Sequence, residues 1–153
     1  MNTIHFSSSD SQASLPANYI FTAGDGGVHT FSATLKTAGS QSLIATDTAT
    51  GSITGTQTIT VQLAVASSLR VAAFPSPIQA GVAGSFTVTA LDAFGNTATA
   101  YTGTIHFSSS DGQAVLPANY TFTAGDGGVH TFSATLKTAG TQSLATVRRP
   151  PTR

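Results

Sequence analysis

Four histidines, six aspartates and abundant serine are the residues this chain could use for chemistry. The histidines are His5, His29, His106 and His130. His106 alternates away from Ile105 and Phe107, so it is expected at the solvent face or strand edge. His130 shares parity with Phe132 and should lie toward the apolar side. Two such rings meeting across a fold could begin a zinc site, but zinc takes three or four protein ligands. The aspartates are Asp10, Asp25, Asp47, Asp92, Asp111 and Asp126. Asp25 and Asp126 sit in Gly-Asp-Gly-Gly turns, where an Asp that bonds its own backbone is the simpler reading. A calcium loop would need an Asp-x-Asp-x-Asp-Gly run, which is missing. Asp47 and Asp92 read as turn or strand-end residues that could also meet calcium at a module junction.

A serine nucleophile needs a base and an orienting group within reach. The pairing on offer is His106, Ser108 and Asp111, all at one strand end. Neighbours that alternate sides of a strand do not converge easily. The Gly-rich turns lack the Lys-Ser/Thr ending of a phosphate loop, and Asn119-Tyr120-Thr121 matches a glycosylation acceptor that Ile20 removes from its earlier counterpart. No residue is therefore assigned a catalytic, cofactor-binding or metal-binding role, and no cofactor is expected.

Composition narrows the field. Charged residues are 8% of the chain, against roughly 25% in ordinary soluble domains, and the net charge is +0. Neither nucleic acid nor an anionic membrane has an electrostatic claim on such a surface. Cysteine is absent, which removes disulfides and thiolate metal sites. No apolar run approaches the ~20 residues that span a bilayer, so membrane insertion is not expected. The N-terminus, Met1-Asn2-Thr3-Ile4-His5-Phe6, has no basic region and no apolar stretch, so it does not read as a secretory signal.

The elements that must position these residues come from a repeat. Ile4 to Leu43 matches Ile105 to Leu144 at an offset of 101, and only four of the 40 positions differ: Ser11/Gly112, Ser14/Val115, Ile20/Thr121 and Ser40/Thr141. A period near 100 residues is the size of one immunoglobulin-like sandwich. The sequence is out of phase with it. Residues 1–67 form the C-terminal two-thirds of a first module. Residues 68–147 form a second module without its last strand, and 148–153 a basic, Pro-rich tail. Three of the six Lys and Arg residues lie in that tail, a composition break expected of a frameshifted or artificial end.

Strands are expected at Ser68–Phe74, Ser85–Leu91, Thr99–Ser108, Tyr120–Thr123, Val129–Lys137 and Thr141–Thr146, with the last strand, Thr58–Val65, present only in the first copy. Phe86, Val88 and Ala90 share one face of theirs, and Thr87 and Thr89 the other. Gly125-Asp126-Gly127-Gly128 reads as a tight connection. The fold class is all-β: tandem antiparallel sandwich modules, both truncated. Ala66-Ser67-Ser68 is too short to let one period close on itself in permuted order, since three residues reach only about 10 Å. Two incomplete modules with open sheet edges are expected, the second better ordered, and such edges invite self-association.

The stretch Phe86-Thr87-Val88-Thr89-Ala90-Leu91-Asp92-Ala93-Phe94-Gly95-Asn96 resembles the strand and turn of bacterial immunoglobulin-like domains of the invasin and intimin type. Gly125-Asp126-Gly127-Gly128-Val129-His130-Thr131-Phe132 and Ala139-Gly140-Thr141 are similar to filamin-type repeats. The resemblance implies a non-enzymatic spacer or stalk in a large bacterial surface or secreted protein. Its implied partners are neighbouring modules of the same chain, and its place is extracellular or at the cell surface. The alternative is an adhesin module that binds carbohydrate or a receptor. That role favours exposed aromatics clustered on one face, whereas Trp is absent and most Phe sit at apolar-face parity.

Overall fold

The computed structural model describes residues 1–150. Among them the chain is all-β, with no α-helix and only two 3-10 turns, Ala23–Asp25 and Ala124–Asp126. It divides into two compact units, Met1–Gln62 and Leu63–Arg153. The boundary falls earlier than the linker Ala66-Ser67-Ser68. Asp92 accepts a hydrogen bond from the Ala64 backbone, Ser67 N donates to Leu91 O at 2.8 Å, and Ala66 packs on the second unit's core. The presumed linker is thus held as part of the second unit.

The first unit is one antiparallel sheet in the order β2-β1-β3-β4. Its strands are β1 (Thr3–Ser8), β2 (Tyr19–Ile20), β3 (Gly39–Asp47) and β4 (Thr54–Val61). β4 starts and stops earlier than the alternation of Thr58–Val65 predicts. Its limits are those of its partner: pairing runs from Thr46↔Thr54 to Gly39↔Val61, where β3 begins. Each sheet lies within one unit.

The second unit contains β5 (Ser68–Ala72), β6 (Ala83–Leu91), β7 (Thr104–Ser109), β8 (Tyr120–Thr121), β9 (Val129–Thr135) and β10 (Leu144–Arg149). They form two antiparallel sheets, β5-β6-β9 and β10-β7-β8. Phe86 and Val88 from the first sheet meet Ile105 and Phe107 from the second in one buried cluster, an arrangement consistent with a β-sandwich. The rings of Phe86, Phe107 and Phe132 interlock, with centroids 5.8 Å apart for Phe86–Phe107, 5.7 Å for Phe86–Phe132 and 4.7 Å for Phe107–Phe132. Such tilted and edge-on pairs add to the burial of the rings.

Thr89 is buried, although it lies opposite the Phe86 face. It occupies the middle strand of its sheet, between Arg70 on one side and Val129 on the other. The strand expected from Thr99 begins only at Thr104, because Ala98 and Tyr101 turn inward to the core. The tail is not outside the fold at its start: Arg148 pairs with Ile105 and Arg149 with Thr104 as the end of β10. That register equals the first unit's, where Asp47 pairs with Ile4. Strand pairing is a backbone property and tolerates the change of side chain. Of the expected tail, residues 151–153 lie outside the described residues.

Candidate functional site

Asp111 shows what the acidic residues do. Its buried carboxylate accepts bonds from Lys137 N at 2.6 Å, Thr138 N at 3.0 Å, Thr138 Oγ1 at 2.7 Å and Gln113 N at 2.9 Å. The loop after β7 is thereby fastened to the loop after β9. These donors, Lys137 N first and then the Thr138 hydroxyl, hold the carboxyl well below the usual range against the opposing effect of burial. Asp10 repeats the clamp with Lys36, Thr37 and Gln12. Neither clamp was legible from spacing, because the Lys137 and Thr138 donors, like Lys36 and Thr37, stand far along the chain from their acceptor.

The triple of His106, Ser108 and Asp111 does not assemble. His106 is exposed and lies 2.8 Å, Nδ1 to Oδ1, from Asn119. Ser108 is exposed, and the oxygens of Asp111 face backbone donors. His5 likewise meets Asn18, at 2.9 Å.

A cluster that sequence reading missed surrounds His130. Its Nδ1 lies 2.7 Å from Asp126 Oδ1, and its ring stacks on Tyr120 with centroids 4.2 Å apart. Tyr120 donates its hydroxyl to Asp126 at 3.1 Å. Asp126 also accepts from Thr123 N at 2.7 Å, across the 3-10 turn, and Gly127 and Gly128 follow with φ of 59° and 79°. Positive φ at successive positions is the reason for the two glycines. The Thr123 amide and then His130 push the Asp126 carboxyl down to about 2. Burial, with the bond and charge of Asp126, raises the Tyr120 hydroxyl above its ordinary value and keeps it protonated near neutrality. A protonated phenol beside a carboxylate is a poor nucleophile, and the cluster braces the turn. The findable signal was the Asp–His pair at i, i+4 across glycines.

The three remaining aspartates, Asp25, Asp47 and Asp92, also hold loops. Asp47 accepts from Ala49 N, Thr50 N and Asn2 Nδ2. Asp92 accepts from Phe94 N, Asn96 N and Asn96 Nδ2, each at 2.9 Å. With Asp25 bonded to Thr22 N, all six acidic residues of the chain receive backbone N–H groups. Among the described residues no group of three or more His, Asp, Glu or Cys side chains is placed to hold a metal ion. No described helix is long and apolar enough to cross a membrane.

The candidate binding surface is an open groove of about 420 Å³ on the first unit's sheet, lined by Phe6, Pro16, Phe31, Ala33 and Leu43 among others. No family model matches the sequence, and no curated protein or solved structure is similar to the chain at a significant level.

Proposed function

We propose that this chain is a structural repeat without catalytic activity, a spacer or stalk segment of a large bacterial surface or secreted protein built from immunoglobulin-like modules. The observation that carries the reading is the use of every carboxylate to fasten loops. Acidic groups are the usual currency of metal and acid–base chemistry, and here each is engaged by backbone donors of its own unit. Near-identical copies in tandem add length by repetition, each contributing its own contacts. The neighbouring modules of the same chain are its partners in this reading, and the extracellular or surface location rests on the resemblance to invasin- and intimin-type domains.

The test is a search for a ligand. The full chain is applied to a glycan array and used as bait against receptor ectodomains. The spacer reading expects no specific capture. A glycan or receptor held with micromolar affinity or better would replace it with the adhesin reading.

A further inference from the structure

A groove of about 320 Å³ lies in the second unit, lined by Leu63, Ala98 and Ala100 together with Tyr101, Gly103 and Arg148. It has the size of a small-molecule site, with mostly aliphatic walls and few polar side chains. One of these is the Tyr101 hydroxyl. Tyr101 is 8% exposed. Among the described residues its hydroxyl and that of Thr146 are the buried side-chain oxygens without a hydrogen-bond partner, and Thr146 does not line the groove. Leaving a buried donor unpaired is unfavourable. Burial raises the Tyr101 hydroxyl above its ordinary value, against the opposing charge of Arg148, so it stays a proton donor near neutrality.

The other polar group is Arg148, whose guanidinium lies over the Tyr101 ring, 6.0 Å from its centroid. The side chain is exposed, and the ion pairs among the described residues are His–Asp pairs that do not include it. All six aspartates are already engaged by backbone donors, so none is free to meet it. The first unit shows which group belongs at this place. Asp47 holds the register position of Arg148, since Asp47 pairs with Ile4 and Arg148 with Ile105. The Asp47 carboxylate accepts from the side chain of Asn2, the counterpart of Gly103 at the offset of 101. A Cβ at Gly103 would lie 2.4 Å from the Tyr101 hydroxyl. The phenol therefore takes up the space where the Asn2 side chain starts in the first unit. A donor is kept in the second unit, while its acceptor is exchanged for a cation.

We propose that this groove binds a small carboxylate with a short aliphatic tail. One carboxylate oxygen accepts from the Tyr101 hydroxyl and the other from the Arg148 guanidinium, while the tail lies against Leu63, Ala98 and Ala100. The ligand thereby supplies the acceptor that Asp47 supplies in the first unit. The hydroxyl is covered from solvent, so the exposed Arg148 side chain turns aside to admit the ligand, a rotamer change of a kind common on binding. The site goes beyond the spacer reading and does not depend on it, since a module can hold a small molecule and still serve as a spacer.

The experiment titrates sodium isobutyrate into the full chain at constant ionic strength and follows backbone amide signals by heteronuclear NMR. Isobutyramide, the neutral isostere, is the control. Isobutyrate is expected to shift the amides of Ala64, Ala100, Thr102 and Gly103 saturably, with a Kd on the order of 1 mM, and isobutyramide to leave them in place. Tyr101→Phe keeps the ring and removes the donor, and Arg148→Gln removes the charge. Each should weaken binding by about tenfold or more, as the loss of a charge-assisted hydrogen bond does. Without ligand, the Tyr101→Phe chain should melt no lower than the parent, because the lost hydroxyl leaves no partner behind. The proposal is overturned by the absence of a saturable shift with isobutyrate, by equal shifts with isobutyramide, or by undiminished binding in either variant. A Tyr101→Phe chain that melts lower would overturn it as well, by showing that the hydroxyl already has a partner.

Discussion

Val28–Thr34 and Val129–Thr135 have the same seven residues, and they are not the same structure. The second is β9, paired along its length with β6. The first has its side chains in nearly the same places but makes only an isolated bridge, Thr34 to Ser14. The reverse happens one segment later. β3 is a strand from Gly39 to Asp47 because β4 lies beside it, whereas its counterpart becomes a strand only from Leu144, where β7 is the partner on offer. A strand is a property of two segments, since its hydrogen bonds lie between chains of residues rather than within one. The ring packing survives without β6 because its contacts are made with Tyr19, His29 and Phe6, all inside the first unit.

The largest break of this contrast is Phe86→Ala. Removing a buried phenylalanine costs about 3–5 kcal/mol, so urea unfolding of the second unit should shift by a large part of its stability. Exchange in Val129–Thr135 should then approach that of Val28–Thr34.

A paired glycine test sharpens the same contrast. Gly27 and Gly128 have φ of +82° and +79°, but a Cβ at Gly128 would lie 2.6 Å from Ala98 O, while at Gly27 it would meet nothing within 4 Å. Both substitutions to Ala carry the penalty of a positive φ, about 1 kcal/mol. Gly128→Ala should cost about 1–3 kcal/mol more, the usual range for overpacking. Thermal melts of the two variants would show the gap, and equal shifts would mean that the close approach to Ala98 yields freely.

Acid should erase a feature the copies share. Asp10, Asp25, Asp111 and Asp126 all have carboxyls lowered by hydrogen bonds, Asp126 to about 2 from an ordinary 3.8. A lowered folded-state pKa contributes stability above the unfolded value and loses it as pH falls through the folded one. Denaturation midpoints should stay level down to about pH 4 and fall progressively toward about pH 2, in both copies. A midpoint that holds through this window would mean that the clamps contribute little.

The smallest effect is expected at His106→Ala. The ring is exposed and bonded only to the exposed Asn119 side chain, so stability should change by less than about 0.5 kcal/mol. A larger loss would show that the β7 face carries more than its exposure indicates.

Much of the architecture was legible in order and type. Alternation placed Phe86, Val88 and Ala90 on one buried face, and the repeat announced two copies. The clamps of Asp10 and Asp111 were not legible, because an acceptor and donors more than twenty residues apart become neighbours only when two loops fold together. The Tyr120–Asp126–His130 brace was half visible as an Asp–His pair, but the tyrosine joins it through ring stacking across the turn.

The sequence by itself determined the β class, the turn positions and the inward side chains, since period-two alternation and glycines at positive φ are local requirements. The tertiary structure alone decided which segments became strands and where each ended. Local propensity is equal in two identical stretches, and only the presence of β6 beside Val129–Thr135, and of β4 beside Gly39–Asp47, supplies the backbone partners that make the difference.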